Sequence, residues 1–107
     1  MRAGRAARLS HVQVTVFVPA ALRQFAAGER RVYVDVSDQA TVDGVFRCLH
    51  ERHPGVVERA LDETWTPRPH VNIFVDGSSI RTGARLGLQT PVRAGTEVWI
   101  LPAVSGG

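Results

Sequence analysis

"TEVWILPAVSGG" (residues 96–107) decides how this chain is read. Its first half alternates. Val98 and Ile100 share one phase and Trp99 and Leu101 the other, the period-two pattern of a strand with one buried face. Its second half does not. Pro102 is expected to stop the strand, Ala103, Val104 and Ser105 are small, and Gly106 and Gly107 carry no Cβ. The six residues 102–107, fully extended, reach about 20 Å. That is enough to carry a terminal carboxylate into another protein's active site.

Working outward, "VQVTVFV" (12–18) alternates strictly, with Val12, Val14, Val16 and Val18 inward and Gln13, Thr15 and Phe17 outward, until Pro19. "RVYVDV" (31–36) repeats the pattern with Val32, Val34 and Val36 inward, and "PAALRQFAAGER" between them reads as a hairpin connection around Gly28. Ser37 and Asp38 then supply turn chemistry, and Thr41 is placed as the N-cap of a helix over "VDGVFRCLHERH", ending before Pro54 and Gly55. Val42, Val45, Phe46 and Leu49 fall on one face of it, so it should lie on a sheet. A second helical turn is expected in "VVERALDE", followed by the proline loop "TWTPRP".

"HVNIFVDG" (70–77) is a third strand, with Val71, Ile73 and Val75 inward and Asp76-Gly77 turning. "SSIR" reads as a short edge strand, "LGLQTPVRAG" as a loop with a turn at Ala94-Gly95, and residues 96–101 as the last strand. Strand, strand, helix, strand, short strand, strand is an α+β roll: one main helix on one face of a mixed sheet of four to five strands. With the first and last strands both central, it is a β-grasp. The expected partition is a flexible arginine-bearing arm (1–10), one folded domain (11–101) and an extended tail (102–107).

At 107 residues the chain supports one core, and its 44% apolar content excludes wholesale disorder. The formal charge of +3 is concentrated in Arg2, Arg5 and Arg8, among which there is no acidic residue. A nucleic-acid surface needs basic residues interleaved with aromatics on a folded face; here the outward aromatics sit beside Asp76 and Glu97, so nucleic acid is not the expected partner. The single cysteine, Cys48, cannot form an internal disulfide and is read as packing. Gln13 and Thr15 break the only early apolar run at strand spacing, so neither a signal peptide nor a membrane span is read, and a cytoplasmic location is expected. His50 and His53 lie three apart with no third ligand nearby in sequence, and are read as solvated surface rather than metal ligands.

Phe17, Phe74 and Trp99 occupy outward phases, and Leu101 shares that of Trp99. If the first, third and last strands are neighbours, these side chains form one patch, and an exposed aromatic patch favours a partner surface. The plainer reading is that one or two rings cover the sheet edge or pack under the Trp65 loop. The tail leaves from the edge of this patch. A carboxylate is a poor electrophile until activated, typically as an acyl-adenylate, and a Gly-Gly end offers the least steric resistance to that attack.

"ILPAVSGG", "RPHVNIFVDG", "LQTPVRAGTEVWILPA" and "HPGVVERAL" resemble the ubiquitin-like sulfur-carrier family: the small subunit of molybdopterin synthase, the thiamine sulfur carrier and, most closely, the cysteine-biosynthesis carrier. The likeness covers nearly everything from Val12 onward. The arm over 1–10 is an addition to the pattern, and Trp99 and Ser105 stand where smaller or differently polar residues are common.

The resemblance implies a protein co-substrate, not an enzyme. An E1-like adenylyltransferase would bind the patch (Phe17, Phe74, Trp99, Leu101) and thread Pro102, Ala103, Val104 and Ser105. It would consume ATP to adenylate Gly107, with Gly106 giving backbone freedom, and a sulfide or persulfide donor would yield a thiocarboxylate. No bound cofactor is implied. The acceptor would be a cysteine synthase-like enzyme, a thiazole-synthase relative or the molybdopterin-synthase large subunit. In the cysteine route a zinc metalloprotease releases the product. All thirteen basic residues are arginine, so no lysine is offered for self-conjugation. The competing reading is a β-grasp adaptor without sulfur chemistry.

Overall fold

The computed structural model describes residues 10–81 and 86–102. Five strands, β1 (His11–Phe17), β2 (Arg31–Ser37), β3 (Val71–Val75), β4 (Ser78–Ser79) and β5 (Glu97–Pro102), form one sheet in the order β2-β1-β5-β3-β4. β1 and β5 are parallel and every other neighbouring pair is antiparallel. The first and last strands are thus central, as the β-grasp reading requires. Two α-helices, α1 (Val42–Arg52) and α2 (Pro54–Ala60), complete the described layer structure with two 3₁₀ turns, Ala20–Ala26 and Gly87–Gln89.

The valine alternation builds the core. Val14, Val16, Val98 and Ile73 are fully buried on one face of the sheet, and Val42, Val45, Phe46 and Leu49 of α1 are fully buried against it. Each such side chain contributes about 1.5–3 kcal/mol by leaving water, which sets the helix on this face and no other. Asp76 and Gly77 both have positive φ (48° and 89°), as a two-residue type I′ hairpin demands, and they join β3 to β4.

Several boundaries differ from expectation, each for a local reason. The connection between β1 and β2 is not a simple hairpin loop: Ala20–Ala26 winds into a 3₁₀ turn that buries Ala26 and is closed by Ala27 at positive φ. Thr41 stands at the N-cap of α1 but makes no side-chain cap bond. Instead the Val42 N–H donates to the Thr90 carbonyl (2.9 Å), so the returning 86–92 loop supplies the acceptor. α2 begins at Pro54 rather than after Gly55, because proline at the first helical position needs no N–H partner. It ends at Ala60, since Leu61 bridges to Pro67.

Pro102 does not stop β5; it is the strand's last residue, opposite Val71, where a strand end tolerates a missing donor. Apart from Ser10 and Pro102, the arm and the tail lie outside the described residues, and so do residues 82–85.

Candidate functional site

The face of the sheet away from the helices carries the predicted patch, and the register shows how it assembles. Phe17 of β1 lies opposite Trp99 of β5, and Trp99 lies opposite Phe74 of β3. The row continues to Arg31 on β2 and Ser79 on β4, so it crosses all five strands. The Phe17 and Trp99 rings stack with centroids 3.9 Å apart and planes 4° from parallel. The Arg31 guanidinium sits 5.6 Å from the Phe17 centroid, within cation–π range. The Trp99 indole N–H reaches the Glu97 carboxylate at 3.4 Å.

Burial grades the row. Phe17 and Phe74 are half-buried, while Trp99 remains 37% exposed and Leu101, one row further toward the tail and opposite Asn72, 38%. Phe17 therefore serves partly as a platform for Trp99, and the outer face of the indole is the surface offered. Tyr33 adds a further exposed ring on β2, opposite Thr15.

All four predicted patch residues thus share one face. None lies under the Trp65 loop, which packs on the helix side: the Trp65 indole N–H donates to the Asp43 carboxylate of α1 (2.7 Å). Arg31 and Tyr33 were missed as members of the patch. Their outward phase was readable in "RVYVDV", but their place beside Phe17 depends on the β1–β2 register, which one strand's alternation does not set.

Asp76 and Glu97, expected to flank the aromatics, are tied to one another by structure: the Asp76 side chain accepts the Glu97 N–H (2.9 Å) and the Asp76 N–H donates to the Glu97 carbonyl (2.9 Å). These bonds fix the start of β5 relative to the end of β3. Cys48 is half-buried, with its thiol directed to the Asp35 carbonyl at 3.6 Å. His50 faces Glu58 (3.9 Å) and the edge of Trp65. Among the described residues, no three potential metal ligands cluster, and no helix is long and apolar enough to cross a membrane.

The site's exit is β5 itself. The β1–β5 pairing ends at Phe17 opposite Trp99, because β1 turns away at Pro19, whereas β5 continues to Pro102. Leu101 and Pro102 are both exposed. The predicted tail residues Ala103, Val104, Ser105, Gly106 and Gly107 lie outside the described residues.

A family model described as the ThiS family matches residues 16–107. The sulfur carrier protein CysO of Mycobacterium tuberculosis (strain ATCC 25618 / H37Rv) is 34% identical over 98 residues, covering 90% of this chain and 100% of that protein. Small archaeal modifier protein 3 of Haloferax volcanii is 32% identical over 81 residues, covering 75% of this chain and 84% of that one. Among solved structures, a chain of the Amycolatopsis orientalis BexX/CysO complex superposes with a TM-score of 0.75 at 33% identity, covering 88% of this chain and 99% of that one. With the β-grasp sheet, the central parallel pair and a match running to the terminal glycines, the chain belongs to the ThiS family of ubiquitin-like sulfur carriers.

Proposed function

We propose that this protein carries sulfur on the carboxyl group of Gly107 as a thiocarboxylate, acting as a co-substrate of its partner enzymes rather than as a catalyst. The observation that supports this most is the single aromatic row, Phe17, Trp99 and Phe74, set at the strand from which the tail departs. A partner that covers this row is positioned to receive residues 103–107, which span at most about 18 Å when extended.

In the first step a carboxylate oxygen of Gly107 attacks the α-phosphorus of ATP in an E1-like adenylyltransferase, and pyrophosphate leaves. Hydrosulfide then attacks the acyl carbon and AMP leaves, giving the thiocarboxylate. Gly106 and Gly107 suit both attacks because no Cβ obstructs the carbonyl and the backbone is free to adopt geometries closed to other residues. Pro102 to Ser105 set the reach. The arm over 1–10 takes no part in this scheme.

The cysteine route is favoured for the acceptor, by the 34% identity to the mycobacterial carrier over that protein's whole length. In it the thiocarboxylate sulfur replaces the leaving group of an activated serine on a cysteine synthase-like enzyme, the resulting thioester passes its acyl group to the amine of the new cysteine, and a zinc metalloprotease hydrolyses that amide to free the amino acid. A thiosugar, thiazole or molybdopterin acceptor would use the same activated tail. The modifier-named relatives support a second reading, in which activated Gly107 acylates a lysine of another protein.

Intact mass of the protein from its native cells, kept free of added thiols, separates these readings. A species heavier by one oxygen-to-sulfur exchange, localised to the C-terminal peptide, is expected. A cysteine adduct at the same place identifies the cysteine route, and a branched lysine peptide identifies modification. A plain carboxylate after incubation with ATP, sulfide and the E1-like enzyme would reject the carrier reading and leave the adaptor. Appending one alanine after Gly107 should abolish transfer.

A further inference from the structure

On the helix side of the sheet, directly behind the tail's root, lies a cavity of about 730 Å³ bordered by Ile100 and Pro102 of β5. It opens where β1 leaves β5, between the Ala20–Ala26 turn, α2 and the start of β3. Its floor is apolar, with Phe25, Val71 and Ile100, and its rim carries Arg59, Arg68 and His70, with Glu58 among them. Phe25 is held against α2: the Arg59 guanidinium lies 3.6 Å from its ring centroid, and a Cβ on Gly55 would come within 2.9 Å of the same side chain, so only glycine fits there.

The guanidinium groups of this rim are held by backbone carbonyls rather than by ion pairs. Arg59 donates to the Gly55 carbonyl (3.2 Å), and Arg68 donates from Nε and Nη2 to the Glu58 carbonyl (3.1 and 2.9 Å). Arg81, just behind, donates to the Arg68 and Pro69 carbonyls (2.6 and 3.3 Å). Neutral acceptors order these guanidinium groups without cancelling their charge. The nearby Glu58 carboxylate is directed to His50 instead (3.9 Å). Among the described residues, none of the three arginines has a carboxylate within ion-pair distance.

We infer that this groove seats an acidic segment of the adenylating partner, one apolar side chain entering the floor and flanking carboxylates meeting Arg59, Arg68 and His70. Two observations select that occupant. The groove shares Pro102 with the tail's root, so an enzyme that encloses the tail and covers the aromatic row on one face must also pass this opening on the other. Its rim presents two guanidinium groups, Arg59 and Arg68, ordered by backbone carbonyls and not ion-paired, whose complement is a carboxylate-bearing strand or loop. The partner would then grip β5 from both faces, and the direction of the tail would be fixed before Gly107 reaches the ATP. This rests on the carrier reading.

The test is ATP–pyrophosphate exchange by the E1-like enzyme of the same organism with full-length carrier, comparing wild type, Arg59→Glu, His70→Glu, Arg59→Lys and Trp99→Ala, each first shown by its melting curve to be folded at the assay temperature. Arg59→Glu should raise the KM for the carrier about tenfold, leave kcat unchanged and flatten the dependence on ionic strength. His70→Glu should act in the same direction, and Arg59→Lys should stay close to wild type. If the two glutamate variants keep the wild-type KM and salt dependence while Trp99→Ala raises KM, the groove inference fails and the carrier reading stands. A lower KM in Arg59→Glu would mark the groove as a seat for this chain's own tail and would also overturn the inference. If wild type supports no exchange at all, both readings fall.

Discussion

The two faces of the sheet are built from the same strands yet obey different rules. Toward the helices, positions 14, 16, 32, 34, 73, 75, 98 and 100 are all valine or isoleucine and all buried. Toward the opposite side the same strands offer Arg31, Tyr33, Phe17, Trp99, Phe74 and Leu101, none of them fully buried. A core face is uniform because close packing rewards shape and volume alone. An interaction face mixes aromatic rings with charge because it must remain soluble when free and bind when met. The contrast separates what holds the protein together from what it presents.

The strongest way to break that contrast is to disturb the buried side. Phe46 is fully buried at the centre of α1, and Phe46→Ala should cost about 3–5 kcal/mol of folding stability, read from urea denaturation. Activation of the fraction that remains folded should be unchanged. A loss below 1 kcal/mol would mean that the helix layer is not the main support of the sheet.

The converse substitution is Trp99→Ala. It should weaken partner affinity by about 2 kcal/mol, the scale of an interface hot spot, while folding stability falls by about 1 kcal/mol as the stack on Phe17 is lost. Calorimetric titration against the E1-like partner and thermal melts of the free protein give the two numbers. If stability fell more than affinity, Trp99 would belong to the core despite its exposure.

Much of this contrast is legible in the chain before any coordinates. Strict alternation in residues 12–18 and 31–36 names the inward valines because the side-chain period of a strand is fixed at two. Phe17, Phe74 and Trp99 could be placed outward by the same rule, and once β1, β5 and β3 were taken as neighbours their meeting followed. What could not be read depends on pairing partners far away in sequence. Arg31 joins the row only through the β1–β2 register. The groove exists only because β1 stops at Phe17, opposite Trp99, while β5 runs on to Pro102, an offset in register between two strands far apart in sequence. Thr41 is the N-cap that its residue type indicates, but the Thr90 carbonyl that accepts the Val42 N–H comes from a loop remote in sequence. The tail proposed to carry the sulfur is read from the sequence alone, since Ala103 to Gly107 lie outside the described residues.

The Trp65 loop sharpens the comparison from the helix side. Trp65 has φ 62°, a left-handed conformation that is costly for a bulky residue. It is held there by the bond to Asp43 and by Arg47, whose guanidinium lies 4.6 Å from its ring centroid while pairing with Asp43 at 2.9 Å. The loop is therefore an extension of the cover over α1, not of the partner face. Trp65→Ala should lower stability by about 2 kcal/mol, since packing is lost and the backbone strain remains. Trp65→Gly should recover about 1 kcal/mol of that because glycine takes positive φ freely. Neither should alter the KM for the carrier. Equal stabilities for the two variants would show that the backbone at 65 relaxes once the indole is gone.

The smallest effect belongs to the turn that opens this loop. The Asp62 carboxylate accepts the Thr64 hydroxyl (2.6 Å) and N–H (2.8 Å) and the Thr66 N–H (3.1 Å). The Thr64 side-chain bond is the main reason its pKa lies below the ordinary 3.8, followed by the Thr66 backbone bond, with partial burial opposing them and the Thr64 backbone bond and the Arg68 charge adding the least. A depressed carboxylate favours the folded state when ionised. Its contribution is therefore fully present above the unfolded-state value and is lost as pH falls through the lower, folded-state value. Asp62→Asn keeps an acceptor oxygen but does not titrate, so it should melt slightly below wild type near neutrality, and the gap should close as pH falls below about 4. Because Asp62 remains partly exposed, the difference near neutrality will be slight. Parallel melting curves for the two proteins down to pH 2 would mean that the threonine bonds do not favour the ionised form, and that proline and sheet contacts alone shape the loop.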